Sequence, residues 1–187
     1  MPAYHPPPRL WLMTDERQGD ELFAALHALP RGAGVIFRHY RLAPPARRAL
    51  FERVRRIARK RRLVLLLAGT PRQALAWRAD GVHGRSPLRS PHPMMRTVPV
   101  HRAFELQSRA VRNADLVLLS PVFATRSHPG ARVLGRLRFG LIARRARRPV
   151  VALGGMTLRR ARAMRAMRLY GWAAIDGLAK GTRRSSG

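Results

Sequence analysis

The chain has 187 residues, 46% of them hydrophobic, which is enough for one domain with a substantial core, and no cysteine, which excludes disulfides, thiolate nucleophiles and thiolate metal sites. The formal net charge is +29, and because Lys60 and Lys180 are the only lysines among 38 basic residues, arginine spread from Arg9 to Arg184 carries it. That spread reads as a coding bias toward arginine ahead of a phosphate-tracking face. With aromatics at 6% and scattered, the sequence also lacks the stacking platform of a single-strand nucleic-acid binder.

Met1 to Pro8 holds four prolines and no apolar segment, so it reads as a loose arm and neither a signal peptide nor a membrane span. Leu10 to Met13 is an apolar strand ending at Thr14-Asp15, and leucines and alanines at helical spacing predict a helix from Glu16 to Leu29, closed by Pro30-Arg31-Gly32. Gly34 to Phe37 is a second strand with the polar edge Arg38-His39-Tyr40, followed by a helix from Pro44-Pro45 to about Arg61. The third unit is Leu63 to Leu67, the turn Ala68-Gly69-Thr70 and a short helix from Pro71 to Trp77, with proline in its first turn.

The fourth strand, Asp80 to His83, runs into a Pro-, Ser- and Arg-rich stretch from Gly84 to Met95 where any helix is stunted. Thr97 to Val100 is the fifth, with Pro99 limiting its pairing, and Arg102 to Arg112 its helix. Asp115 to Leu119 is the sixth; a long loop over Ser120 to Leu134 precedes a helix over Arg136 to Arg147. In the seventh, Pro149 to Leu153 meets Gly154-Gly155, and Thr157 caps an amphipathic segment ending near Arg168. The glycine pair either only turns the chain or forms a cup in which amide N–H groups face an anion. Trp172 to Ile175 is the eighth strand, before Asp176-Gly177.

Strands that are continuously apolar, each followed by a helix, predict a parallel sheet covered by helices, and eight such units close into a (β/α)8 TIM barrel. It is compact against the usual ~250 residues, with a shortened fourth βα unit. A doubly wound open sheet is the alternative. Residues 1–8 read as a flexible arm, 9–180 as the barrel and 181–187 as a disordered tail.

In such a barrel the site lies at the carboxyl ends of the strands. Those ends carry Thr14, Asp15, Arg38, His39, Gly69, Thr70, His83, Arg85, His101, Ser120, Thr125, Ser127, His128, Gly154, Gly155 and Asp176. A ring of cations, hydroxyls and glycines with few carboxylates favours an anionic, phosphorylated ligand.

Arg38 after an apolar strand, then Ala79-Asp80-Gly81-Val82-His83, Ser120-Pro121-Val122-Phe123-Ala124-Thr125 and Val151-Ala152-Leu153-Gly154-Gly155-Met156, in this order from about Trp11 to Leu178, resemble the thiamine phosphate synthase and TenI family. The resemblance implies a (β/α)8 barrel and a synthase-type transferase of thiamine biosynthesis, and the absence of cysteine fits a cytoplasmic protein. Its reaction joins a hydroxymethylpyrimidine diphosphate to a thiazole phosphate and releases pyrophosphate with Mg²⁺. It implies phosphorylated thiazole and pyrimidine partners, no membrane, and a tendency to form homo-oligomers.

The family's Gln-x-Arg-Glu-Lys after the second strand falls on Ile36, Arg38, His39 and Tyr40, keeping only the arginine. The Asp that binds magnesium after the third strand falls on Gly69, and the second metal carboxylate on Leu88, at the end of Gly84-Arg85-Ser86-Pro87-Leu88. Both hard-oxygen ligands are replaced. Ser-x-His becomes Pro99-Val100-His101, and Thr-x-Thr-Lys becomes Thr125-Arg126-Ser127-His128. The histidine of the TenI tautomerase branch falls on Pro121, and the phosphate-binding serine of the eighth strand on Asp176.

The candidate catalytic residues are therefore Arg38 and His128. Arg38, His83, His101, Thr125, Ser127, Gly154 and Gly155 are the candidate substrate-binding residues; no metal ligand is assigned and Mg²⁺ is implied by the resemblance alone. Two other readings stand beside the synthase: a non-catalytic or TenI-like homologue binding a thiamine-pathway phosphate, and a basic nucleic-acid binder, which the arginine spread disfavours.

Overall fold

The structure is a computed structural model that describes residues 6–88, 90, 92–125, 130 and 132–175. Eight strands, β1 (Leu10–Met13), β2 (Gly34–Phe37), β3 (Val64–Ala68), β4 (Gly81–His83), β5 (Met95–Val100), β6 (Leu116–Leu119), β7 (Val150–Ala152) and β8 (Gly171–Ala174), follow one another in spatial order. Each pairs in parallel with the next, and β8 pairs with β1, so the barrel is closed and the open-sheet alternative falls. The helices are α1 (Glu21–Ala28), α2 (Pro44–Arg61), α3 (Pro71–Ala76), α4 (Arg109–Arg112), α5 (Gly135–Arg145) and α6 (Leu158–Ala163). Among the described residues none lies between β4 and β5, as the Pro- and Ser-rich stretch predicts.

The strands are apolar throughout because both of their faces are buried. Trp11, Met13, Ile36, Leu66, Leu116, Leu118 and Val151 fill the barrel interior. The alternate positions feed two outer layers. Leu12, Val35, Phe37, Leu65 and Leu67 pack with α1 and α2 through Leu22, Leu26, Phe51 and Val54, while Val98, Val100, Val117 and Leu119 pack with Val111, Phe139, Ala161 and Met164. Trp11, Phe37, Phe51 and Phe139 are wholly buried, each stabilising the fold by roughly 1.5–3 kcal/mol over an exposed position. Trp11 fits inside because β2 begins with a glycine: a Cβ at Gly34 would lie 2.1 Å from the indole ring.

Local sequence sets the element ends. Thr70 Oγ1 accepts from Gln73 N–H ahead of Pro71, Ser108 caps α4 and Thr157 caps α6. The helix expected over Glu16 to Leu29 is interrupted. Asp15 and Gln18 form a reciprocal capping box around a 3₁₀ turn at Glu16–Gln18, Gly19 breaks the chain at φ 47°, and α1 starts afterwards. The helix expected over Arg102 to Arg112 is likewise a 3₁₀ turn, Ala103–Gln107, followed by the short α4. In the seventh unit α6 ends at Ala163, earlier than Arg168.

Pro99 pairs with Leu118, and on its other side β4 has already ended at His83, so its missing N–H costs no ladder bond. Its carbonyl accepts from Arg85 Nε at 3.2 Å. Before β1, the Pro8 carbonyl accepts from Trp11 Nε1 at 2.7 Å and that of Pro7 from the Tyr170 hydroxyl, which ties this end of the proline segment to the barrel.

Candidate active site

At the ends of β1 and β2 the polar side chains bond to one another. Thr14 Oγ1 accepts from Arg38 N–H at 3.0 Å, which leaves its proton for His39 Nδ1 at 2.9 Å. Arg38 Nε donates to the Thr14 carbonyl at 2.8 Å and its Nη2 to Asp15 Oδ2 at 2.7 Å. Burial alone would raise the Asp15 carboxyl, but hydrogen bonds from Arg17 and the charge of Arg38 outweigh it and hold the group below the usual carboxylate range. His39 is buried and stacked on Phe37 at 4.8 Å, and loss of hydration lowers its pKa despite the nearby Glu16 and Asp15 charges.

Arg47, a residue the sequence reading passed over, completes this sector. It stands on the buried stripe of α2 with Phe51, Val54 and Ala58, a charged residue where the pattern calls for an apolar one, and that misfit was its signal. Its Nε donates to the Arg38 carbonyl at 2.9 Å and its Nη2 to that of Ala68 at 2.7 Å. The guanidinium lies 5.8, 5.5 and 5.4 Å from the rings of Phe37, Tyr40 and Trp77. One buried cation thus joins the ends of β2 and β3.

His83 ends β4 within the wall of the barrel. It is 5% exposed, its Nδ1 lies 2.9 Å from Thr97 Oγ1, and desolvation, with a smaller push from Arg38, drives its pKa down to about 3. The ring is neutral at physiological pH. It does not border the cavity described next.

Across the barrel, a cavity of about 770 Å³ opens between the ends of β5 to β8. Arg38, His101, Thr125 and Gly154, all expected from sequence, line it together with Ser120. Arg102, Arg132 and Arg138 do so as well, and no pattern in the sequence separates these three from its many other arginines. Met13, Leu134, Ile142, Leu153 and Ile175 supply apolar walls, and no Asp or Glu lines it among the described residues. His101 Nδ1 donates to the Ser120 carbonyl at 2.9 Å, with Ser120 Oγ at 3.2 Å, which leaves Nε2 as the acceptor of the neutral ring.

Gly154 and Gly155 take φ of 95° and 59°. A Cβ on Gly154 would lie 2.8 Å from Pro121 Cα, and one on Gly155 would lie 2.5 Å from the Ala124 carbonyl oxygen, so both positions need glycine for conformation and for space. Gly154 faces the cavity; Gly155 packs under the β6 loop, its carbonyl accepting from Arg160 Nη1. The candidates Ser127 and His128, and Asp176, lie outside the described residues.

The donor set does not fit Mg²⁺. Asp15 is tied to Arg17 and Arg38, Glu16 accepts from Arg41 N–H, and Glu105 accepts from both Arg85 and His101 N–H. Positions 69 and 88 carry Gly and Leu, and among the described residues no group of three His, Cys, Asp or Glu could hold a metal ion.

Comparison with known proteins adds to this geometry. The family model described as thiamine monophosphate synthase matches residues 10–178. The thiamine-phosphate synthase of Methanoregula boonei is 35% identical over 79% of this chain and 74% of its own. A protein of Aquifex aeolicus provisionally named thiamine-phosphate synthase 2 is 29% identical over 90% of this chain and 96% of its own. The structure of the thiamine phosphate pyrophosphorylase from Pyrococcus furiosus superposes with a TM-score of 0.73 at 22% identity, covering 94% of this chain and 92% of that one, a likeness of fold.

Proposed function

Since this chain belongs to the thiamine monophosphate synthase family, we propose that its barrel mouth binds a thiazole phosphate or thiamine phosphate without the Mg²⁺-held pyrophosphate site on which coupling to a pyrimidine diphosphate depends. The observation that carries this reading is the asymmetry of the cavity: apolar walls suited to a flat ring, and Arg38, Arg102, Arg132 and Arg138 with no carboxylate among them, suited to a phosphate. Ser120, Thr125 and the Gly154 backbone offer further polar contacts. His101 Nε2 is the group within the cavity able to accept or return a proton.

Calorimetric titration with thiamine phosphate, and a separate assay of thiamine phosphate formation from both substrates with Mg²⁺, test it. Binding without turnover is expected. Restoring carboxylates by Gly69→Asp with Leu88→Asp should raise turnover above the wild type. The change is sterically feasible, because the atom a Cβ at position 69 would meet is the tip of the flexible Gln73 side chain, at 2.4 Å, and Leu88 is exposed. Measurable wild-type turnover, as fast as that of the double variant, overturns the reading. It would favour the second one, the full joining reaction, which rests on the names of the Methanoregula and Aquifex relatives.

A further inference from the structure

The opposite end of the barrel holds a second cationic hollow, of about 410 Å³, between the segments that lead into β1, β7 and β8. Arg9, Arg147, Arg148 and Arg168 line it, with Val150 and Tyr170 in its apolar wall and no Asp or Glu among its described lining. None of the five ion pairs among the described residues involves these arginines. Among the described residues their partners are uncharged: Arg148 donates to the Arg112 carbonyl, Arg168 to that of Arg144 at 3.4 Å, and Arg9 lies over the Tyr170 ring at 5.1 Å. The wall is anchored, since Trp172 N–H donates to the Arg9 carbonyl at 2.8 Å and the Tyr170 hydroxyl to that of Pro7.

Four like charges around one concavity of this size lie near the screening length of physiological salt, about 8 Å, so their mutual repulsion is only partly screened. The four are exposed and come from three separate segments of the chain, yet all of them border this one hollow. An anion relieves the repulsion, and the planar forks of guanidinium groups match phosphate oxygens in pairs. We propose that this amino-terminal face is a binding site for a small phosphate-bearing molecule, separate from the mouth and on the far side of the filled barrel interior.

Inorganic pyrophosphate is the probe, titrated calorimetrically at about 0.15 M salt. The wild type should take up two equivalents. Arg147→Gln with Arg168→Gln should weaken one of them at least tenfold and spare the other, and Arg132→Gln with Arg138→Gln should do the reverse. Thermal melting checks that both double variants fold. As a second measurement on the unaltered protein, thiamine phosphate should displace one equivalent of pyrophosphate and leave the other. A single equivalent that is insensitive to Arg147→Gln with Arg168→Gln, or that thiamine phosphate displaces completely, overturns the proposal. So does a single-stranded oligonucleotide that binds through Arg147 and Arg168 where pyrophosphate does not. Failure of thiamine phosphate to bind, with pyrophosphate still taken up through Arg147 and Arg168, refutes the proposed function and leaves this site standing.

Discussion

At the ends of β1 to β4 the polar side chains are bonded to one another, whereas at the ends of β5 to β8 they border an open cavity. His83 and His101 show the difference most directly. Each follows a buried valine at the end of its strand, yet the first is a neutral ring locked to Thr97 inside the wall and the second stands at the cavity with one nitrogen fixed and the other available. In the first sector Arg47 brings a cation up from the helix layer and attaches it to two strand-end carbonyls. In the second, glycine leaves space that a side chain would fill. Arg38 belongs to both, held by Asp15 and Thr14 while it lines the cavity. The half that supplies metal carboxylates in the family pattern is here bonded within itself, and the residues that line the cavity lie mainly in the other.

The comparison breaks most visibly at Arg47. Arg47→Ala removes two charge-assisted bonds and leaves the Arg38 and Ala68 carbonyls without this donor, so it should destabilise the protein by about 3 kcal/mol in urea unfolding. Thiamine phosphate affinity should fall far less than stability does. A variant that kept its stability and lost binding would place the ligand in the first sector and reverse the assignment.

Gly154→Val forces a β-branched residue to φ 95° and against Pro121, and should cost about 2 kcal/mol while abolishing thiamine phosphate binding. Binding that survived would move the ligand away from the second sector.

The last effect leaves neutral pH untouched and appears only on acidification. Burial lowers the His83 pKa from 6.5 to about 3, so the unfolded chain binds this proton more readily than the folded one. The stabilisation from the neutral ring is fully present above about pH 6.5 and is lost as pH falls toward 3, with a slope of at most about 1.4 kcal/mol per pH unit. His39, also lowered by burial, acts in the same direction. His83→Gln, which can keep a bond to Thr97, should flatten the curve of stability against pH between 6 and 4 relative to wild type; an unchanged slope would show that His83 is not a buried neutral group.

The sequence by itself determined the barrel. Strands buried on both faces must be apolar at every position, and Thr, Pro and Gly punctuate the helices through local hydrogen bonding and backbone sterics, so the eight units could be counted and β1 and β2 placed to the residue. It also determined the family, through Arg38, the Asp80-to-His83 strand and the Gly154-Gly155 turn, because those residues answer to backbone geometry or strand burial. Only the tertiary structure decided which members of the polar ring share a space. His83 and His101 differ by the neighbour that the next strand brings, Thr97 in one case and the Ser120 carbonyl in the other, and such pairings join residues 14 and 19 positions apart. The roles of Arg47, Arg132 and Arg138 were equally hidden. In a chain with arginine almost everywhere, composition cannot say which guanidinium the fold turns inward, and closure of the barrel does.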